Sequence, residues 1–282
     1  MDIELLERVI EDLNNTNKPY FKTGFIDLDE FLSLRKKSAL ITIGARPAMG
    51  KTALMYNIME NVANQGKKCL LFSLEMSKDQ VVRRLICQYS EVDFMKLRTG
   101  MMYEKDWEKI AGTVKFLTEI PISIDDTCVM NIEEIEEKIK NNKPEVVFID
   151  YLQLISASKR KDRYNQIEDI MKNLKRISEE NEIIIFISSQ LSRAVENRMD
   201  KRPMLSDLRD SGSIENISDI VMFLYRSDYY SHGEDDEAAL YSRGCAEIIV
   251  AKNKFGPVGT IMLKFIPSIT KFKNPTVERI EF

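Results

Sequence analysis

A chain of 282 residues, 44% hydrophobic and 30% charged, has the composition of a globular protein with a sizeable core. Its net charge of −4 argues against a non-specific nucleic-acid coat, which binds through excess Lys and Arg, but is compatible with a local basic channel. Four scattered cysteines (Cys69, Cys87, Cys128, Cys245) without a C-x-x-C pair, and a lone histidine, His232, in a polar stretch, provide neither a disulfide framework nor a metal cluster.

The acidic N-terminus lacks the basic start of a secretory signal, and no apolar run approaches a membrane span, so a cytoplasmic location is expected. Residues 3–13, IELLERVIEDL, set Leu5, Leu6, Val9, Ile10 and Leu13 on one helical stripe, and NNTNKP (14–19) breaks the pattern. Residues 1–19 therefore read as an amphipathic helix and linker ahead of a single domain over 20–282. Such a helix either folds back on its own core or docks on another subunit.

Apolar runs at 39–44, 68–74, 122–124, 145–150, 183–189, 219–225 and 246–252 read as buried strands. Helical patterns at 51–64, 77–90, 104–117, 131–141 and 164–180 lie between several of them. The alternation predicts an α/β fold: a mainly parallel central sheet flanked by helices, with active residues at the C-terminal ends of strands. The tail 260–272 reads as two antiparallel strands around Pro267-Ser268, and 227–244 as a polar surface loop.

The first strand runs into Ala45-Arg46-Pro47-Ala48-Met49-Gly50-Lys51-Thr52 and then a helix, the order of a phosphate-binding loop. Backbone N–H groups and the helix N-terminus suit phosphate oxygens, Lys51 suits the terminal phosphates, and the Thr52 hydroxyl suits Mg²⁺. Ala45 stands where the G-x-x-x-x-G-K-[ST] pattern has its first Gly. EVVFIDYLQLI ends a strand in Asp150, the second expected Mg²⁺ ligand, but follows it with Tyr151 where many such strands carry a catalytic Glu. Glu75, at the end of LLFSLEMS, is the replacement candidate for general base; its alternative is a plain charge near the start of a helix. Gln190 closes another buried strand and is placed to touch the γ-phosphate or the attacking water. There is no N-K-x-D and no D-x-x-G after Asp150, so ATP is expected rather than GTP. SDLRDSGS, read alone, is either a solvated turn or a backbone-gripping loop.

In order, TGFIDLDEFL, ARPAMGKTA, FSLEMS, FIDYLQLI, SSQLSR, KRPMLSDLRDSGSIENISDIVMFLYR and AKNKFGPVGT resemble the motor domain of DnaB-type replicative DNA helicases, over residues 20 to about 275. The resemblance implies a RecA-like P-loop NTPase fold, ATP with Mg²⁺, and 5′-to-3′ DNA unwinding. It also implies a homo-oligomeric ring, usually of six, with ATP held between neighbours, and partners such as a primase and a helicase loader. It assigns Lys51 and Thr52 to phosphate and Mg²⁺, Asp150 to Mg²⁺, Glu75 to the base and Gln190 to the γ-phosphate sensor. Arg84 becomes a nucleotide contact, and Arg209, Asp210 and Gly212 the grip on single-stranded DNA. Helix 3–13 would dock on the adjacent subunit. Where the family carries Lys-x-Arg reaching in trans into a neighbour's ATP, this chain has Lys252 and Lys254. Two other readings are a RecA-like recombination or clock-type ATPase, and a non-motor assembly or loading protein switched by nucleotide.

Overall fold

Most of the apolar runs are hydrophobic on both faces, so their strands have to be covered from two sides, whereas the run at 122–124 carries an exposed Ser123 and is only partly buried. The computed structural model describes residues 20–34, 37–156, 163–208, 211–230 and 244–275. The strands among them are β1 (Ala39–Ala45), β2 (Cys69–Ser73), β3 (Ile122–Asp125), β4 (Val146–Asp150), β5 (Ile184–Gln190), β6 (Ile220–Tyr225), β7 (Cys245–Asn253), β8 (Gly259–Ile266) and β9 (Lys271–Lys273). The helices are α1 (Ile26–Leu32), α2 (Lys51–Ala63), α3 (Lys78–Ser90), α4 (Phe94–Thr99), α5 (Glu104–Glu119), α6 (Ile132–Asn142), α7 (Arg163–Glu180) and α8 (Ser211–Ile217). One sheet results, ordered β3-β2-β4-β5-β1-β6-β7-β8-β9. Its strands are parallel from β3 to β6 and antiparallel from β7 onward, as the alternation and the tail led one to expect.

Alternate side chains of each strand go to opposite faces. Ile41, Ile43, Leu71, Phe148 and Phe186 pack with α2 on one face. Leu40, Phe72, Val147, Ile149 and Ile185 pack with α6 and α7 on the other. Parallel register brings the strand ends together: Ala45 lies opposite Gln190, and Ser73 opposite Asp150. Three helices, α1, α4 and α8, were not expected; at seven, six and seven residues they are too short to display an apolar stripe. The expected helix 3–13 and most of the loop 227–244 lie outside the described residues. Among the described residues no helix is long and apolar enough to cross a membrane.

One buried carboxyl gives the fold a pH dependence. Glu60 on α2 is buried, and that desolvation pushes its carboxyl up to about 7, against the opposing pull of Lys271 4.0 Å away. A folded-state pKa above the unfolded one means that the folded chain holds the extra proton between the ordinary glutamate range and about 7. Stability is therefore lost as the pH rises through that window. Glu60→Gln removes the titration, so its unfolding free energy should exceed the parent's by about 1–3 kcal/mol at pH 8, with the gap narrowing toward pH 5. Denaturant unfolding at the two pH values measures this; an equal gap at both would show that Glu60 does not titrate there.

Candidate active site

At the C-terminal edge of the parallel strands, β1 gives way to a loop that turns into α2. Gly50 makes the last step of that turn with φ +100°, in the left-handed region that favours glycine. Ala45, by contrast, is the last residue of β1, buried and in register with Gln190, so the first glycine position of the pattern needs no special backbone here. Just inside α2, the Thr52 hydroxyl donates to Asp150 Oδ2 at 2.7 Å. Lys51 Nζ lies 3.7 Å from Asp150 Oδ1 and 4.8 Å from the centre of the Tyr151 ring. The Ser188 hydroxyl on β5 donates to Asp150 Oδ1 at 2.6 Å, which orients the carboxylate from its other side. Desolvation draws the Lys51 ammonium below the usual lysine range, while the charges of Asp150 and Glu75 oppose that shift. A phosphate group would supply the anionic partner that a buried lysine needs.

Across the cleft, β2 ends in a turn closed by two bonds. Leu74 N–H donates to the Asp150 carbonyl at 3.0 Å, and the Ser73 hydroxyl to the Met76 carbonyl at 2.7 Å. Glu75 sits in this turn, exposed and lining the cleft. Helix α3 does not use it: Ser77 and Gln80 form a reciprocal capping box, and Asp79 supplies the acid of the first turn. The reading of Glu75 as a helix-start charge thus has little to support it. Farther along α3, Arg84 also lines the cleft, and its buried Nε has no hydrogen-bond partner among the described residues. Burying such a donor is costly unless a ligand accepts from it.

The cleft measures about 590 Å³ and is lined by the loop, Glu75, Arg84, Tyr151 and Gln190, together with Arg226, Phe265 and Thr270. That volume lies in the ordinary range of small-molecule sites. The last three residues escaped the reading of the sequence. Arg226 had a usable signal, a charged residue just after the buried strand β6; Phe265 on β8 and Thr270 in the turn before β9 belong to the antiparallel tail, which carries no motif. Arg46 lines the cleft, but its guanidinium is committed elsewhere, to Glu196 and to the Leu191 carbonyl.

A scan against family models matches residues 21–274 to the DnaB-like helicase C terminal domain. The chain belongs to that family. It is 43% identical over 259 residues to the replicative DNA helicase DnaB of Geobacillus stearothermophilus, covering 89% of this chain and 56% of that protein. It is 41% identical over 274 residues to the replicative DNA helicase DnaC of Bacillus subtilis, covering 94% of this chain and 59% of the relative. This chain thus spans little more than half the length of these curated relatives. Among solved structures, an isolated ATPase domain superposes with a TM-score of 0.90 at 35% identity, covering 97% of this chain and 98% of that one. A DnaB-like replicative helicase studied with its primase interactions superposes at 0.88 and 34% identity, covering 98% of this chain and 67% of that one.

The remaining residues that the DnaB-like motifs single out lie away from the cleft. Because β7 is antiparallel, its last residue Asn253 pairs with Ile220 at the start of β6, the edge opposite the phosphate loop. Lys252 and Lys254 are therefore remote from the cleft of this chain. In the single chain, Lys254 Nζ lies 3.1 Å from Asp219 Oδ1, and Lys252 Nζ donates to the carbonyls of Glu215 and Asn216 in the last turn of α8. Arg209 and Asp210 fall outside the described residues. Gly212 does not need left-handed backbone; it sits in the first turn of α8, where an added Cβ would come within 3.1 Å of the Tyr164 hydroxyl. A Cβ there would require the half-exposed Tyr164 side chain to give by a few tenths of an ångström.

Proposed function

We propose that this chain is the ATP-hydrolysing motor of a replicative DNA helicase, working between neighbours in a homo-oligomeric ring and moving 5′ to 3′ along single-stranded DNA. The observation that carries the reading is the constellation at one sheet edge: Lys51, Thr52 and Asp150 in mutual contact, with an uncommitted Glu75 facing them across the cleft. A hydroxyl and a carboxylate already 2.7 Å apart are a hard-oxygen donor set suited to Mg²⁺. When bound, the ion supplies neutralisation of phosphate charge. The Lys51 ammonium and the loop N–H groups hold the terminal phosphates. Glu75 accepts the proton of the attacking water, and Gln190 orients that water against the γ-phosphate. The Asp150 carboxylate is held in place by Thr52 and Ser188. Lys254 of an adjacent copy would reach the γ-phosphate from outside.

The DNA grip falls in the segment around Arg209, Asp210 and Gly212, where the Arg209 guanidinium offers charge to the phosphodiester chain. ATPase rate with and without single-stranded DNA tests the motor reading, with Arg209→Ala as the diagnostic variant. DNA should stimulate the parent. Arg209→Ala should bind single strands more weakly whatever their sequence, with a log–log salt slope shallower by roughly one, and should keep basal turnover while losing stimulation. A parent indifferent to DNA would favour a nucleotide-switched assembly protein, and an Arg209→Ala variant indistinguishable from the parent would return the segment to a solvated turn.

A further inference from the structure

Arg46 belongs by sequence to the phosphate-binding loop and lines the cleft, yet its guanidinium is committed to the segment after Gln190. Its Nη1 donates to the Leu191 carbonyl at 2.9 Å, its Nε to Glu196 Oε1 at 2.9 Å, and its Nη2 lies 2.8 Å from the same oxygen. Its side chain is 9% exposed, that of Glu196 41%. A guanidinium spent in this way cannot also fork onto phosphate oxygens. What it does instead is join the loop to the segment that begins just after Gln190.

That segment, 191–208, is itself braced. Ser192 N–H donates to the Asp207 carbonyl at 2.8 Å, and Leu191 forms an antiparallel bridge with Leu208, so the two ends of the segment lie side by side. Arg198 holds the Asp207 carboxylate with both Nη atoms, at 3.1 and 2.7 Å. Arg202 reaches Glu247 on β7 at 2.7 and 2.8 Å. These bonds make the segment a contiguous network between the phosphate loop, β7 and Leu208, the kind of hydrogen-bonded route that carries coupling. The last backbone bond between β1 and this segment is from Leu191 N–H to the Ala45 carbonyl, at 3.3 Å. One residue farther into the phosphate loop, the crossing is made by the Arg46 side chain.

We propose that the Arg46–Glu196 ion pair is a coupling element: it passes the occupancy of the nucleotide cleft to segment 191–208, and through it to the single-stranded DNA grip that follows Leu208. Both are positioning residues rather than catalytic ones. The inference rests on the DNA-motor reading above and adds to it the route by which nucleotide and DNA sense each other. Linkage makes the effect reciprocal: if nucleotide changes DNA affinity by a factor, DNA changes nucleotide affinity by the same factor.

The test measures binding as well as turnover. Single-stranded DNA affinity is determined by fluorescence anisotropy, once with ADP and once with a non-hydrolysable ATP analogue, for parent, Glu196→Gln and Glu196→Asp. Couplings of this kind generally amount to about fivefold to 150-fold. The parent should show a ratio in that range. Glu196→Gln should bring it several-fold closer to one while leaving basal ATPase without DNA unchanged, and Glu196→Asp, which keeps the charge, should recover part of it. Arg46 is nearly buried, so Glu196→Gln is the main variant: its amide oxygen can still accept from the guanidinium while the charge is lost. Adding Arg46→Gln to Glu196→Gln should reduce the ratio no further, as expected when both changes break one link. A parent that responds to nucleotide together with a Glu196→Gln variant that responds equally overturns the coupling and leaves the motor reading standing. A parent whose DNA affinity ignores nucleotide overturns both.

Discussion

Replacing Glu75 by Gln is expected to leave ATP binding near the parent value and to slow turnover about a hundredfold, the lower end of what a general base contributes. The amide keeps the size and polarity of the side chain but cannot take a proton. Three features make Glu75 the group to test. The position after Asp150 is occupied by Tyr151, which raises the question of where the base comes from. Glu75 lines the same cleft as Lys51, exposed. Helix α3 is capped by Ser77 and Gln80 and does not require the charge. Quenched-flow hydrolysis beside equilibrium binding of a fluorescent ATP analogue separates the two quantities. If Glu75→Gln hydrolyses ATP at the parent rate, the base lies elsewhere and Glu75 is a surface charge. If binding collapses along with turnover, its role is electrostatic, through Lys51.

Local pattern carried most of the fold. Buried parallel strands are continuous apolar runs, so β1, β2, β4, β5 and β6 could be located from hydrophobicity alone, with Asp150 and Gln190 at the ends of two of them. Lys51, Thr52 and Asp150 were legible for the same reason: each stands at a fixed offset from an apolar run. Interactions between distant positions were not legible. Arg46 and Glu196 are 150 residues apart, and nothing in ARPAMGKT indicates that its arginine faces a carboxylate instead of a phosphate. Lys254 and Asp219, 35 apart, meet only because β7 returns antiparallel along β6. Gly212 suggested a loop by its flexibility, whereas it lies in a helix with the hydroxyl of Tyr164, on another helix, as its nearest neighbour. Side-chain direction follows from tertiary packing, and one-dimensional spacing does not report it.

Lys254→Ala should slow ATP turnover about tenfold to a hundredfold in assembled protein and have no effect on isolated subunits. An arginine acting in trans is worth about 10³ to 10⁵ in related phosphoryl-transfer sites. A lysine offers the same charge without the planar fork, so less is at stake, and Lys254→Arg should match or exceed the parent. Within one chain the ammonium rests on Asp219 with 45% of its side chain exposed, and a pair that open to solvent is worth about 1 kcal/mol or less. Releasing it leaves the Asp219 charge paired, because Oδ2 keeps Lys175 at 2.7 Å and the Leu40 N–H at 2.9 Å, while Oδ1 gives up the partner that Lys254 supplied. The ammonium is therefore available to a neighbour at small cost. Mixing Lys254→Ala with Lys51→Ala decides between neighbours and self. In a mixed ring, an interface formed by a subunit with intact Lys51 and a partner with intact Lys254 is complete, so part of the activity should return. If native mass measurement demonstrates mixed rings and no activity returns, Lys254 does not act across the interface, and its contact with Asp219 is structural.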